Sequence, residues 1–256
     1  MDRKESNVLF QQWKKEESEP FTGWDFSYIA ERCIEEQPPW SYVNTAENLM
    51  LPSEAVLDLG TGGGEILLSM KDFFPKRVVA TEDFPPNFAL ARRRLSPYGV
   101  EVVETESASL RQKLPFADDE FDLVINRHSS FNVSEVARIL KSHGFFLTEQ
   151  VDGRALKDLC QDFNCKPQWP FFTLDFVFNV IKSTKLIVVD AQEWEGKIYF
   201  KDVGALVYFL KAIPWIVPGF TVETHFEHLL KLQERIEREE KLTFIQRLFL
   251  IKAKKA

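Results

Sequence analysis

The chain has 256 residues, a formal net charge of -7, and hydrophobic residues at 45% of its positions. This length and composition suit one large α/β domain, and the acidic charge disfavours non-specific nucleic-acid binding, which needs a basic surface. No apolar run reaches the roughly 18 residues of a membrane span, and three cysteines without paired spacing favour neither a disulfide framework nor a zinc site. The polar start, MDRKESN, is unlike a secretory signal, so we expect a cytoplasmic protein.

Residues 1–52 are predicted to form a helical lid segment ahead of the main fold. The stretches VLFQQWKKEE and DFSYIAERCIEE both place apolar residues at helical spacing. The stretches EPFTGW and PPWSY contain the turn-forming residues that end helices. From residue 53 the pattern changes, so we predict that the main domain covers residues 53–256.

Residues 53–151 alternate between strand-like and helix-like stretches. Strands are predicted at 55–59, 77–82, 100–106, 121–127 and 145–151, and helices at 65–74, 86–98 and 133–142. Such alternation is typical of a mostly parallel sheet with right-handed crossovers, in which helices cover the faces of the sheet.

Residues 152–256 are less regular. They predict helices at 153–163, 173–184, 202–213 and 224–241, and strands at 186–196 and 244–255. The helices within about 202–241 therefore form an insertion before the last strand. Taken together, the chain predicts the α/β class, with a doubly wound, Rossmann-like, seven-stranded sheet that is mostly parallel and has an antiparallel C-terminal strand.

The stretch VLDLGTGGGE joins the first strand of this sheet to a helix. Its glycines are Gly60, Gly62, Gly63 and Gly64. A dinucleotide fingerprint needs a third glycine at the sixth position, where either register has Glu65 or Leu67 instead. A phosphate-binding P-loop is excluded because no GK[ST] follows.

Two acids beside the turn indicate a different ligand. Asp58 lies two residues before Gly60, and an acid at the end of this strand suits a positively charged ligand. Glu82 ends the next strand about 20 residues later, where a carboxylate accepts the hydroxyls of a ribose. S-adenosylmethionine has an ammonium, a sulfonium, a ribose diol and no phosphate. The pattern therefore favours S-adenosylmethionine over a dinucleotide.

Four stretches in order resemble the motifs of class I S-adenosylmethionine-dependent methyltransferases, in a type 11-like, uncharacterised bacterial branch. They are VLDLGTGGGE, VVATEDFPPNFALARRRL, LPFADDEFDLVINR and EVARILKSHGFFLTEQV, where KSHG replaces the family's usual LKPGG turn. The resemblance implies a cofactor-binding half over residues 53–151 and an acceptor-side half over 152–256. It implies cofactor contacts at Asp58, Gly60, Thr61, Gly62, Gly64, Glu82, Asp83, Ser107 and Asn126, with the adenine contact at Glu106, Ser107 or Ala108.

The methyl acceptor normally faces the end of strand four, which here reads NRHSS. Enzymes of this class that methylate amino groups of nucleic-acid bases usually have an Asn/Asp-Pro-Pro-aromatic motif there, so its absence disfavours that reaction. His128 is the candidate catalytic base, with a structural histidine as the alternative. Arg127 either anchors an acidic substrate or pairs with a nearby carboxylate.

Aromatic residues ahead of the fold are candidates for contact with the substrate: Trp24, Trp40 and Tyr42. His225 and His228 lie three residues apart on a predicted helix, but without a third ligand we expect no metal site.

The leading hypothesis is a methyltransferase that acts on a small, partly apolar acceptor, with acid/base help from His128. One alternative is an RNA or protein methyltransferase, which only the basic stretches ARRRL and KAKK support. Another is a non-catalytic protein that binds S-adenosylmethionine or S-adenosylhomocysteine. The sequence leaves the acceptor and the oligomeric state open.

Overall fold

The computed structural model describes residues 3–106, 113–239 and 241–256, and these contain an eight-stranded sheet flanked by helices. The strands are β1 (Cys33–Glu35), β2 (Ala55–Leu59), β3 (Arg77–Glu82), β4 (Glu101–Glu104), β5 (Phe121–Arg127), β6 (Leu140–Val151), β7 (Leu186–Phe200) and β8 (Leu242–Lys255). The helices are α1 (Arg3–Ser18), α2 (Tyr42–Met50), α3 (Glu65–Ser69), α4 (Pro85–Leu95), α5 (Val133–Ile139), α6 (Lys157–Asp162), α7 (Leu174–Lys182), α8 (Val203–Ala212) and α9 (Val222–Glu239).

The strands lie side by side in the order β1-β7-β8-β6-β5-β2-β3-β4. The five strands from β4 to β6 are parallel, whereas β8 is antiparallel to both of its neighbours. Strands β3 and β4 follow one another on one side of β2. Strands β5 and β6 lie on the other side of β2. In such sheets, ligands bind where the strand order reverses, which here is the edge formed by the carboxyl ends of β2 and β5.

The central strands form because most of their residues are apolar on both faces. Every residue of β2 is buried, as is every residue of β3 after Arg77. Parallel strands covered by helices on both sides require such continuous apolar runs. The predicted α/β class and its antiparallel C-terminal strand are confirmed.

The sheet has one strand more than predicted. The stretch at 25–36 was expected to be helical, but it forms a short 3-10 turn at Ser27–Ile29 and then β1. Strand β1 pairs with the end of β7, and Cys33 lies opposite Phe200. This long-range pairing outweighs the local helical spacing, because β-structure depends strongly on its tertiary neighbours.

Helix α5 is also shorter than predicted. It ends at Ile139, and the residues expected to complete it and its stop begin β6, in which Leu140 pairs with Phe121. His143, in this extension, has a left-handed backbone conformation with φ of 68°. The sheet therefore continues where the helical pattern alone predicts a helix end.

The N-terminal segment and the insertion helices share one hydrophobic core. The buried residues of this core include Trp13 from α1, Leu206 from α8 and Leu229 from α9. The ring of Trp13 meets that of Phe226 edge-on, with ring centroids 5.7 Å apart. The division at residue 52 stays a prediction, but α1 packs on the insertion. No helix in the part of the chain that the structure describes has the length and apolar character to span a membrane.

We expect Trp13→Ala to lower the free energy of unfolding by about 3–5 kcal/mol, because it empties a large buried site. Chemical denaturation followed by circular dichroism measures this loss.

The matched control is Trp169→Ala, because Trp169 is 48% exposed. It should change stability by less than about 1 kcal/mol. Equal losses in the two variants would contradict the packing of α1 described above.

Candidate active site

The turn between β2 and α3 adopts a backbone that favours glycine. Gly60, Gly62 and Gly64 have φ values of 75°, 62° and 82°, in the left-handed region. The turn is tied to β3, because the N–H of Thr61 donates to the carbonyl oxygen of Thr81 at 2.8 Å. The sequence-predicted turn thus lies at the reversal point of the sheet.

Two side chains lie close against this turn. A Cβ atom on Gly62 would lie 2.5 Å from Cδ1 of Trp24, and one on Gly60 would collide with the side chain of Ser129. Trp24 also contacts Trp215 edge-on, with ring centroids 5.8 Å apart. The N-terminal segment therefore covers the glycine turn, which leaves no room for larger residues there.

Glu82 connects the end of β3 to the glycine turn. Its carboxylate accepts the N–H of Gly62 at 2.7 Å and the N–H of Phe84 at 3.0 Å. Burial raises the pKa of Glu82 to about 7, and these backbone donors oppose the rise. The backbone of Asp83 also donates to the carboxylate of Glu82, and because a carboxylate offers about four acceptor positions, capacity remains for a further donor.

Asp58 is the second acid at this edge. It lies on β2, is only 7% exposed, and its pKa is raised to about 6 by burial. The phenol pKa of nearby Tyr42 is raised well above its usual value by burial and by the charge of Asp58. Asp58 and Glu82 therefore both lie where a hydrogen-bond donor or a cation would favour their ionised forms.

A narrow cleft leads from Glu82 toward the loop after β5. Its walls include Gly60, Asp83, Thr105 and Ser129. Asp83 thus lies beside the predicted site. Ser107 and Ala108, predicted near the adenine, lie outside the described residues.

The side chain of Asn126 is fully buried and does not face a cavity. Its Nδ2 donates to the carbonyl oxygen of Leu59 at 2.7 Å. Its Oδ1 accepts the hydroxyl of Thr148 at 2.8 Å and the amide of Gln150 at 2.6 Å. Asn126 therefore holds the residue just before the glycine turn.

Glu149, at the end of β6, is the centre of a polar cluster that sequence reasoning missed. Its Oε1 accepts Nε of Arg127 at 2.7 Å, and its Oε2 accepts Nε1 of Trp40 at 2.7 Å. Nε2 of His128 lies 3.5 Å from Oε1. Although burial opposes it, these neighbours lower the pKa of Glu149 to about 2. Of the two roles predicted for Arg127, the structure thus shows pairing with a carboxylate.

His128 follows β5 directly and has φ of 54°, a conformation that residues with side chains rarely adopt. Its N–H donates to the carbonyl oxygen of Glu149 at 2.9 Å. Burial and the charge of Arg127 lower the pKa of His128 and outweigh Glu149, so the imidazole is neutral near pH 7.

A cavity of about 370 Å³ adjoins this cluster. Its polar wall includes Glu35, Glu36, Trp40, Tyr42, Arg127, His128 and Glu149. Its apolar wall includes Pro38, Val43, Ile66 and Leu248. The structure thus brings together four of the predicted catalytic and substrate residues, whereas Trp24 lies over the glycine turn.

Glu35 was also missed, because it lies on the unpredicted strand β1. Its Oε1 accepts Nε2 of Gln246 at 2.9 Å. The sequence places Glu149 near the end of the predicted strand FFLTEQV, but nothing in that strand indicates Arg127 as its partner. Among the described residues, no three His, Cys, Asp or Glu side chains converge as metal ligands.

Residues 57–148 match the family model of a methyltransferase domain. The demethylmenaquinone methyltransferase of Thermus thermophilus is 43% identical over 70 residues, which are 27% of this chain and 31% of that protein. The fatty-acid O-methyltransferase of Mycolicibacterium smegmatis is 32% identical over 136 residues, which are 50% of this chain and 45% of that protein. The chain therefore spans less than half the length of either curated relative.

Among solved structures, the YcgJ protein of Bacillus subtilis has a TM-score of 0.59 at 18% identity, over 84% of this chain and 97% of that chain. At this identity, the likeness shows a shared fold.

We expect Gly62→Ala to destabilise the protein and to displace Trp24, because the new methyl group would occupy the position of the indole edge. The left-handed backbone alone costs about 1–2 kcal/mol. Thermal unfolding and tryptophan fluorescence measure the two effects, with a Trp24→Phe background to assign the emission change.

Gly99→Ala is the matched control, because Gly99 has φ of 77° and nothing lies within 4 Å of its added Cβ. It should lose stability without any fluorescence change. Identical behaviour of both variants would contradict the placement of Trp24.

Proposed function

We propose that the chain, whose residues 57–148 match a methyltransferase domain, is a class I S-adenosylmethionine-dependent methyltransferase that transfers a methyl group from S-adenosylmethionine to a small molecule. The observation that carries this proposal is the contact between Glu82 and Gly62, which joins an acid at the end of β3 to the glycine turn. When bound, the cofactor supplies an electrophilic methyl group on a sulfonium with a good leaving group.

The residues of the turn fit such a cofactor. The glycines permit close approach of a ligand to the backbone, because a Cβ at Gly60 or Gly62 would fill the available space. The remaining acceptor capacity of Glu82 suits a ribose hydroxyl. The ionised carboxylate of Asp58 suits the positively charged ammonium group of the cofactor. This attraction offsets the free-energy cost of burying the carboxylate.

The remaining cofactor-side residues have supporting roles in this proposal. Thr61 and Gly64 shape the turn, and Asp83 lines the adjacent cleft. Asn126 positions the carbonyl oxygen of Leu59 instead of contacting the ligand. Trp24 covers the cofactor side of the turn, and the contact predicted at Ser107 stays a prediction.

The acceptor binds in the cavity at the ends of β5 and β6. A volume of about 370 Å³ lies within the usual range of small-molecule sites. Its walls are partly apolar, which suits a partly apolar acceptor. The relatives named for demethylmenaquinone and for a fatty acid support this class of acceptor.

His128 is the proposed base. A hydroxyl or amine must lose a proton when it accepts a methyl group, and a neutral imidazole in the cavity wall can receive that proton. Trp40 and Tyr42 form the wall around the acceptor, and Arg127 keeps Glu149 ionised. The acidic net charge and the carboxylates of Glu35 and Glu36 disfavour a phosphate backbone in this site.

We expect wild-type protein to bind S-adenosylmethionine and S-adenosylhomocysteine in calorimetric titrations, and Glu82→Gln to weaken binding at least about 100-fold. The carboxamide lacks the charge of a carboxylate, and each hydrogen bond to a charged group contributes about 1.5–3 kcal/mol. Glu104→Gln is the control, because Glu104 is exposed and lies opposite Glu82 on β4.

Absence of binding to folded, ligand-free wild type would refute the proposal. Binding without release of S-adenosylhomocysteine on a panel of quinols, phenols, amines and fatty acids would favour a binding protein. Turnover with RNA or protein alone would favour that alternative instead.

Affinity for S-adenosylmethionine should rise with pH from about 5 to about 7.5 and fall above about 8, where the ligand's own α-ammonium group loses its proton. The folded pKa values of Glu82 and Asp58 are about 7 and about 6, and the ligand favours both ionised forms. Binding therefore lowers both pKa values and releases protons in this window. Titrations at pH 6.5 in two buffers of different ionisation enthalpy measure the release, and proton uptake would contradict it.

A further inference from the structure

We propose that Glu149 is a positioning residue, whose carboxylate holds the neutral imidazole of His128 with its proton on Nε2, so that Nδ1 is the proton acceptor at the cavity. The catalytic meaning of this arrangement rests on the proposed function. The arrangement itself is a property of the protein without any ligand.

The carboxylate of Glu149 is fixed on both oxygens. Arg127 holds Oε1 and Trp40 holds Oε2, each at 2.7 Å, and the side chain of Glu149 is only 4% exposed. Arg127 and Glu149 are also register partners between β5 and β6. The group beside His128 therefore has a defined position, which a solvated surface acid would not have.

The imidazole meets this carboxylate through a particular nitrogen. Nε2 of His128 lies 3.5 Å from Oε1 of Glu149. A carboxylate only accepts hydrogen bonds, so it favours the tautomer that carries the proton on the facing nitrogen. The other nitrogen, Nδ1, then has the free electron pair. Metal-binding and catalytic histidines are commonly oriented by a carboxylate in this way.

The backbone adds an independent observation. His128 keeps a left-handed φ of 54°, although such a conformation is unfavourable for residues other than glycine. Its N–H is bound to the carbonyl oxygen of Glu149. Glu149 thus binds the backbone of His128 through its own main chain, and its carboxylate lies beside the imidazole. Residues with a strained backbone of this kind cluster at functional sites.

The charged groups around His128 act on its protonated form in opposite directions. Arg127 on β5 repels a protonated imidazole, whereas Glu149 on β6 attracts it. Glu35 and Glu36 face the same cavity from β1 and the residue after it. A proton taken from the acceptor is therefore stabilised by the carboxylates and still returns readily to solvent.

A purely structural role for Glu149 makes a different prediction. In that case Glu149 only joins Trp40 to the sheet, and the tautomer of His128 does not depend on it. The two roles therefore differ in the proton position on one imidazole, which nitrogen chemical shifts report directly.

The test is long-range ¹H–¹⁵N correlation spectroscopy of the full chain labelled at histidine nitrogens, from pH 5 to 9. The protein has four histidines, and His128→Asn assigns the signal of interest. We expect a neutral His128 at pH 7 with the Nε2–H tautomer favoured roughly tenfold. In Glu149→Gln the preference should fall to the modest Nε2–H excess of an unpartnered histidine, because a carboxamide presents both a donor and an acceptor.

Two further variants keep the test decisive. Glu149→Asp should retain the tautomer preference, and Trp40→Phe should also retain it, although it removes a hydrogen bond from the same carboxylate. A wild-type His128 with its proton on Nδ1 would overturn the proposal even if Glu149→Gln does not fold. An unchanged tautomer in folded Glu149→Gln would overturn it as well. Because no cofactor is present, failure to bind S-adenosylmethionine is a separate outcome that tests the proposed function alone.

Discussion

The side-chain amide of Asn126 joins three neighbouring strands at the edge where the site lies. It binds the last residue of β2, and it accepts hydrogen bonds from two residues of β6. Because the amide is fully buried, each of these bonds is protected from water, and loss of one partner would leave the others unsatisfied. The glycine turn on one side and the Glu149 cluster on the other are therefore fixed relative to the same group.

Three acids near this amide lie in surroundings that penalise charge to different degrees. Glu149 has Arg127 and Trp40 as partners and remains ionised, whereas burial raises the pKa of Asp58 and of Glu82. In the part of the chain that the structure describes, neither Asp58 nor Glu82 is paired with a cationic side chain. Their burial therefore reduces stability near neutral pH, and a ligand that supplies donors removes this cost. The acid that is already paired lines the cavity at the ends of β5 and β6, and the two acids that lack a cation lie beside the glycine turn.

The sequence was informative where structure depends on residues close together in the chain. The limits of β2, β3 and β5 agree with the predicted strands, because continuous apolar runs bounded by glycine or acidic residues encode them locally. The same reasoning placed Asp58 next to the end of β2 and Glu82 at the end of β3. By contrast, β1 depends on pairing with β7 far along the chain, so its local pattern predicted a helix. Glu149 acquires its role only because β6 places it beside Arg127, and no pattern within β6 indicates that neighbour.

The common core of α1 with α8 and α9 couples two segments that lie far apart in the chain. The N-terminal segment and the insertion each bury part of their apolar surface against the other. A chimera that exchanges only one of these two segments with a related protein would expose the apolar surface that the other segment covers.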